Sequence, residues 1–222
     1  MTPPRVIIDT AEVAEIRDAV STGFVNGVAT NPNKIAQSGK TCRQVLDEIR
    51  GFFDGPVVFQ AMGSTTEEII AHAREIHGMD PMLAVKVAAD RTGLPAIKPL
   101  AAEGVRTNAT LIFNPAQALL AGLAGSAFIS PFVGRARMAG SDGIDAIARI
   151  RGLYDAWGIT ETCIVGASIK DVEQVIQAIL AGAHAVAVPF AVFEAMMAHP
   201  LTAQGVAQFT AEFEQMKLRP EV

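Results

Sequence analysis

"PMLAVKVAADRTGLPAIKPLAAEGVRTNATLIF", residues 81–113, reads as strand, helix and strand in immediate succession. The run at 82–87 is almost wholly apolar and follows a proline, the pattern of a strand buried on both faces. The segment at about 93–103 has helical period, and a second strand is expected at 106–112. Parallel strands need a crossover of this kind, so the stretch is one unit of a parallel sheet. Lys86 lies inside the first strand. Burial disfavours an ammonium, moving a lysine pKa down by about 3–5 in the fully buried limit. Lys86 therefore has a carboxylate partner, reaches out to the strand's end, or serves as a neutral amine.

The rest of the chain repeats that unit. Strands are expected at 6–9, 27–30, 56–60, 82–87, 106–112, 127–131, 163–167 and 185–188, eight in all. Between them, "TAEVAEIRDAVSTG" sets Val13, Ile16 and Val20 on one helical face, and "STTEEIIAHAREIHG" does the same with Ile69, Ile70, Ala73 and Ile76. Thr65 with Glu68 three residues on predicts a capping box, and Gly23, Gly78 and Gly182 read as helix stops. Further helices are expected at about 42–52, 93–103, 114–123, 141–157, 170–181 and 190–198, with a surplus one at about 203–217. Eight such units predict a (β/α)8 TIM barrel with an additional C-terminal helix. An open doubly wound sheet is the rival, but the spacing is regular and no G-x-G-x-x-G follows the first strand.

Composition agrees with one domain over residues 1–222, half hydrophobic and 18% charged. A net charge of −5 with scattered basic residues gives no footprint for nucleic acid, so a small-molecule substrate is expected. Cys42 and Cys163 are too few for a disulfide scaffold or a zinc site. The N-terminus does not read as a signal peptide, and no apolar run reaches the roughly 18 residues that span a bilayer. A cytoplasmic protein with no membrane partner is the expectation. The four histidines do not assemble a metal site and read as surface or packing residues.

Catalytic groups of a barrel sit at the C-terminal ends of its strands. Those positions hold Asp9, Asn31, Gln60, Lys86, Asn108, Thr110, Ser130, Phe132 and Ser168, a polar set that converges on one mouth. Two readings of Lys86 compete there: a structural ion pair with Asp9, or a nucleophilic amine that condenses with a ketone to a Schiff base.

The segments "VIIDTAEVAEIRDA", "GVATNPNKI", "VKVAADRTGLPAIKPLAAEGVRTNATLIFNPAQALLAGLAG", "FISPFVGR", "GASIKD" and "HPLTAQGVAQF" resemble the short transaldolase and fructose-6-phosphate aldolase family, in order from about residue 5 to residue 215. The resemblance implies a class I enzyme without metal or other cofactor, acting on a sugar phosphate, with Lys86 as the Schiff-base lysine. It assigns Asp9 to proton transfer near the substrate hydroxyls, and Gln60 and Thr110 to the catalytic water. Asn31 and Asn108 would orient the three-carbon unit, Ser130 and Phe132 would lie over the Schiff base, and Arg135, Ser168 and Lys170 would take the phosphate. Ser168 and Lys170 also fall at a strand-to-helix turn, where free N–H groups and the helix dipole favour an anion. Similar family members form pentamers and decamers, and Val206, Phe209, Phe213 and Met216 of the surplus helix make an apolar stripe suited to a homo-oligomer.

The chain mixes two branches of that family. Gln60 stands where transaldolases have glutamate, and Phe132 where the aldolases have tyrosine; Ala29 and Asn33 replace a usual threonine and serine. "TNATLIF", "SPFVGR" and "HPLT" look like the transaldolase side, so transfer of a dihydroxyacetone unit between sugar phosphates is the favoured expectation. Reversible cleavage of fructose 6-phosphate to dihydroxyacetone and glyceraldehyde 3-phosphate, or the same chemistry on another anionic sugar, is the alternative.

Overall fold

The computed structural model describes residues 5–217; residues 1–4 and 218–222, the two ends of the expected domain, lie outside the described residues. The strands are β1 Val6–Asp9, β2 Gly27–Ala29, β3 Val57–Gln60, β4 Ala84–Ala88, β5 Arg106–Ile112, β6 Phe128–Pro131, β7 Cys163–Gly166 and β8 Ala185–Val188. Each pairs in parallel with the next, and β8 returns to β1 with Val186 opposite Val6 and Val188 opposite Ile8. The sheet is closed, so the fold is a (β/α)8 barrel and not an open doubly wound sheet.

The helices are α1 Val13–Ser21, α2 Pro32–Ser38, α3 Cys42–Arg50, α4 Thr66–Met79, α5 Gly93–Ala102, α6 Pro115–Leu123, α7 Val133–Met138, α8 Gly143–Trp157, α9 Val172–Leu180, α10 Phe190–Met197 and α11 Pro200–Lys217. Two of them, α2 and α7, are additional to the expected set. Both are short: α2 buries no residue, and the six-residue α7 buries only Val133, Gly134 and Ala136, too few for a periodic apolar stripe. What makes α2 a helix is its start: the Asn31 side chain accepts the Lys34 N–H and Pro32 occupies the first turn.

Two helix-end expectations need correction. Gly78 does not stop α4, which runs one residue further and is capped at Asp80; a helical glycine is disfavoured by only about 1 kcal/mol, which packing overrides. The Thr65 hydroxyl accepts the Glu68 N–H as expected, but the Glu68 carboxylate takes the Ser64 N–H instead of closing the box on Thr65.

Strand alternation divides the apolar residues into two cores. Ile7, Ala29, Val58, Ala84, Cys163, Val165, Ala185 and Ala187 fill the barrel's interior. Residues of the opposite parity, such as Ile8, Val28, Phe59, Val85 and Ile164, meet the helices outside it. Small side chains dominate the inner set, which leaves room at the mouth for polar groups.

At the other extreme, α11 buries none of its residues, and Leu201, Val206, Phe209, Phe213 and Met216 are all exposed. It does not fold back over its own barrel.

Candidate active site

Lys86 points into the barrel, two residues beyond the interior residue Ala84. In the strand register it lies beside Gln60 on β3 and Asn108 on β5, so three polar groups form one row across the inner face. Its Nζ donates to the Thr30 carbonyl oxygen at 2.9 Å. Lys86 is buried, and this burial pushes its pKa down from the usual lysine range; the Asp9 carboxylate opposes that and the Lys34 ammonium adds to it. The net direction favours a neutral amine, the form that attacks a carbonyl.

Asp9, at the end of β1, does not form the ion pair with Lys86 that the sequence left open. Its Oδ2 pairs instead with Lys34 Nζ at 2.8 Å, and the same Nζ bonds the Asp9 main-chain oxygen. Lys34 is a residue that sequence reasoning missed. Its position within "NPNKI" gives no sign of this partner, because the contact exists only once α2 is folded back over β1.

Ser130 Oγ donates to Asn108 Oδ1 at 2.8 Å, joining β6 to β5 and fixing the orientation of the Asn108 amide. Thr110 is buried two residues further along β5. After it the strand register shifts, and Leu111 takes φ 59°. Gln60 and Thr110 both line the cavity, but the Gln60 amide contacts Met62 Sδ at 3.6 Å, and among the described residues no hydrogen bond joins it to Thr110. Asn31 reaches the cavity while its side-chain oxygen is held as the α2 cap.

The far side of the mouth is cationic. The Arg135 guanidinium lies over the Phe132 ring at 5.3 Å, and that ring meets Phe113 edge-on at 5.6 Å. Gly134 lets α7 approach the loop after β7: its N–H donates to the Ser168 carbonyl at 3.0 Å, and a Cβ there would stand 2.3 Å from that oxygen and 2.6 Å from Lys170 Cγ. This close approach sets Arg135 alongside Ser168 and Lys170. Ser168 itself is left-handed, with φ 56°. The anion cradle differs from the expectation in one respect. The Lys170 N–H is taken by Gln174 Oε1, and the Asp171 carboxylate accepts the Gln174 N–H at the start of α9, so those two N–H groups already have partners. The side chains of Arg135, Lys170 and Ser168 remain to hold a phosphate.

All eleven residues singled out from the sequence line one cavity of about 660 Å³, together with Lys34, Asn33, Gln37 and Leu111. The histidines are elsewhere: His72, His184 and His199 each accept a backbone N–H, from Met62, Ile164 and Leu201.

The model of the family described as transaldolase/fructose-6-phosphate aldolase matches residues 6–220. The chain belongs to that family. A protein from Phenylobacterium zucineum named "Probable transaldolase" is 43% identical over 94% of this chain and 96% of its own length. Proteins of the same name from Moorella thermoacetica and, as "Probable transaldolase 1", Listeria monocytogenes are 40% and 41% identical, each over 96% of this chain and 99% of theirs. This transaldolase-family chain is an aldolase-type enzyme. Among solved structures, thiamine phosphate pyrophosphorylase from Pyrococcus furiosus matches with TM-score 0.58 and 15% identity, over 85% of this chain and 87% of that one. A structure titled "Native KDPGal structure" also gives TM-score 0.58 with 15% identity, over 82% and 81%. Those two likenesses concern the barrel alone. Among the described residues no helix is long and apolar enough to cross a membrane.

Proposed function

We propose that the protein transfers a dihydroxyacetone unit from a ketose phosphate to an aldose phosphate through a Schiff base on Lys86, acting as a single catalytic domain. The observation that carries this is a buried lysine, biased toward the neutral amine, in a cavity whose opposite side bears Arg135 and Lys170. Lys86 Nζ adds to the C2 carbonyl of the donor. The carbinolamine loses its hydroxyl as water, and an iminium remains. Thr110 and Gln60 hold that water, an amide being able to position it but not to take its proton. Asp9 accepts the proton of the C4 hydroxyl, the C3–C4 bond breaks, and its electron pair moves into the iminium to give an enamine. The aldose phosphate leaves. The enamine carbon then attacks the aldehyde of an acceptor, Asp9 returns the proton, and water releases the new ketose from Lys86.

Asn108 and Asn31 orient the three-carbon unit in this scheme, Ser130 steadies Asn108, and Phe132 lies beside the reacting carbons. The phosphate is held by Arg135, Ser168 and Lys170, where a guanidinium can meet two phosphate oxygens at once.

Gln60 favours a second reading. With no carboxylate at that position, the enamine has time to be protonated and released as free dihydroxyacetone, which is aldolase chemistry. Product analysis with fructose 6-phosphate separates the two. The transferase reading requires that added erythrose 4-phosphate divert the three-carbon unit into a new ketose phosphate. It fails if free dihydroxyacetone accumulates equally with and without that acceptor.

The exposed apolar face of α11 supports assembly into a homo-oligomer, a pentamer or decamer. A cytoplasmic location agrees with the two free cysteines, Cys42 and Cys163.

A further inference from the structure

The Asp9 carboxylate is bound asymmetrically. Oδ2 is held by Lys34 at 2.8 Å, whereas Oδ1 is buried and has no hydrogen-bond partner among the described residues. The strands on either side cannot supply one. Ala29 faces Asp9 in the β2 register with only a methyl group, and on the β8 side the register runs through Val188. The partner comes from α2, and its grip is double, since Lys34 Nζ bonds both the side chain and the main-chain oxygen of Asp9. Helix α2 is in turn fixed at its start by Asn31 and Pro32. With their side chains 26% and 19% exposed, Lys34 and Asp9 form a pair that is largely out of solvent, where geometry counts for more than at a surface.

We propose that Lys34 is a positioning residue for the Schiff-base reaction, clamping Oδ2 of Asp9 so that Oδ1 is the oxygen that takes the substrate's hydroxyl proton. The inference rests on the function proposed above. Without Lys34 the carboxylate is free to rotate about its last side-chain bond, and both oxygens become equivalent acceptors with no fixed direction.

Lys34 has a second effect, on Lys86. The charged groups that bear on the Lys86 amine are Asp9 from β1 and Lys34 from α2, with Arg135 and Lys170 at the other end of the same cavity. Its strand neighbours Gln60 and Asn108 carry no charge. Removing the Lys34 ammonium deletes one influence that holds the Lys86 pKa down and leaves Asp9 unneutralised, which raises it. Both changes act in one direction. The amine is then freed only at higher pH, so adduct formation shifts to the alkaline side.

The test uses the full chain as native enzyme, Lys34→Met, Lys34→Arg, Asp9→Asn and Asp9→Asn with Lys34→Met. Transfer of the three-carbon unit from fructose 6-phosphate to erythrose 4-phosphate gives kcat and KM, and borohydride trapping across neutral and alkaline pH gives the rate of adduct formation. Lys34→Met is expected to lower kcat about 10- to 100-fold with KM little changed, as for a misdirected general base. Its trapping profile moves to higher pH, Lys34→Arg restores most of both, and in the Asp9→Asn background Lys34→Met has little further effect. If Lys34→Met does not give a native melting transition, Lys34→Leu, which likewise has neither charge nor N–H donors, takes its place. A native kcat and pH profile in the uncharged variant overturns the inference while leaving the Schiff-base reading intact. So does an equal loss in the Asp9→Asn background. Failure of the native enzyme to form any adduct overturns the Schiff-base reading, and this inference with it.

Discussion

Lys86 Nζ on β4 is tethered to the carbonyl oxygen of Thr30, the residue that follows β2, across the barrel and past the intervening β3. A carbonyl accepts a hydrogen bond from an amine or an ammonium alike. The tether therefore holds the nitrogen in place without fixing its charge, and burial is left to do that.

Stability should accordingly rise when the lysine is removed. Its folded-state pKa lies below the unfolded value of 10.5, so the unfolded chain binds more protons and native stability increases with pH until that value is reached. Lys86→Met is expected to abolish activity while stabilising the fold by about 1–4 kcal/mol at neutral pH, as replacement of buried charge by apolar groups does. The advantage shrinks toward the unfolded lysine pKa. Thermal melts of both proteins at neutral and alkaline pH check it, and a lower melting temperature for Lys86→Met at neutral pH would count against a buried, disfavoured ammonium.

Gly134 offers a test of the phosphate end. A methyl group there meets the Ser168 carbonyl at 2.3 Å, so Gly134→Ala must push α7 away from the loop that carries Ser168 and Lys170. The expected result is a KM for fructose 6-phosphate raised about tenfold, equivalent to about 1.4 kcal/mol, with a smaller change for unphosphorylated dihydroxyacetone as donor. Equal losses for both donors would separate Arg135 from phosphate binding.

The barrel and most of its mouth were legible because they rest on local pattern. Apolar runs of strand length, most of them ending in a polar residue, marked the eight units and brought Asp9, Gln60, Lys86 and Thr110 to one cavity. Lys34 was not legible, since its contact with Asp9 joins α2 to β1 across 25 residues and leaves no periodic trace. The same holds for α2, whose helicity depends on the Asn31 cap, and for the six-residue α7, which has no side-chain cap and is held by burial of Val133, Gly134 and Ala136. That Gln174 Oε1 takes the Lys170 N–H in the turn after β7 was likewise not legible, because only the folded turn brings the two together.

Gln60 decides how the carbinolamine water is handled. Restoring a carboxylate with Gln60→Glu supplies an acceptor beside Lys86 in the strand register, and general-base help of this kind is worth at least about tenfold. Gln60→Glu is expected to speed adduct formation about tenfold and to raise the share of product found in the new ketose when an acceptor is present. Stopped-flow trapping and product chromatography measure the two. A slower variant with unchanged partition would mean that the amide is not the limiting feature.

Truncation after Pro200 tests the role of α11. Its five large apolar residues are exposed, Phe209 at 68%, and they make no buried contact with the barrel. Mass photometry is expected to show an oligomer for the full chain and a smaller species for the truncated one, with the melting curve of the barrel retained. An unchanged particle mass would place the assembly surface elsewhere.

The central claim is that Lys86 is the residue that bonds the donor. Reduction with borohydride in the presence of fructose 6-phosphate, followed by peptide mapping by mass spectrometry, tests it most directly. A three-carbon adduct confined to the peptide bearing Lys86, and absent from Lys86→Met, is the predicted result; an adduct on Lys34 or Lys170, or one that persists in Lys86→Met, would contradict it.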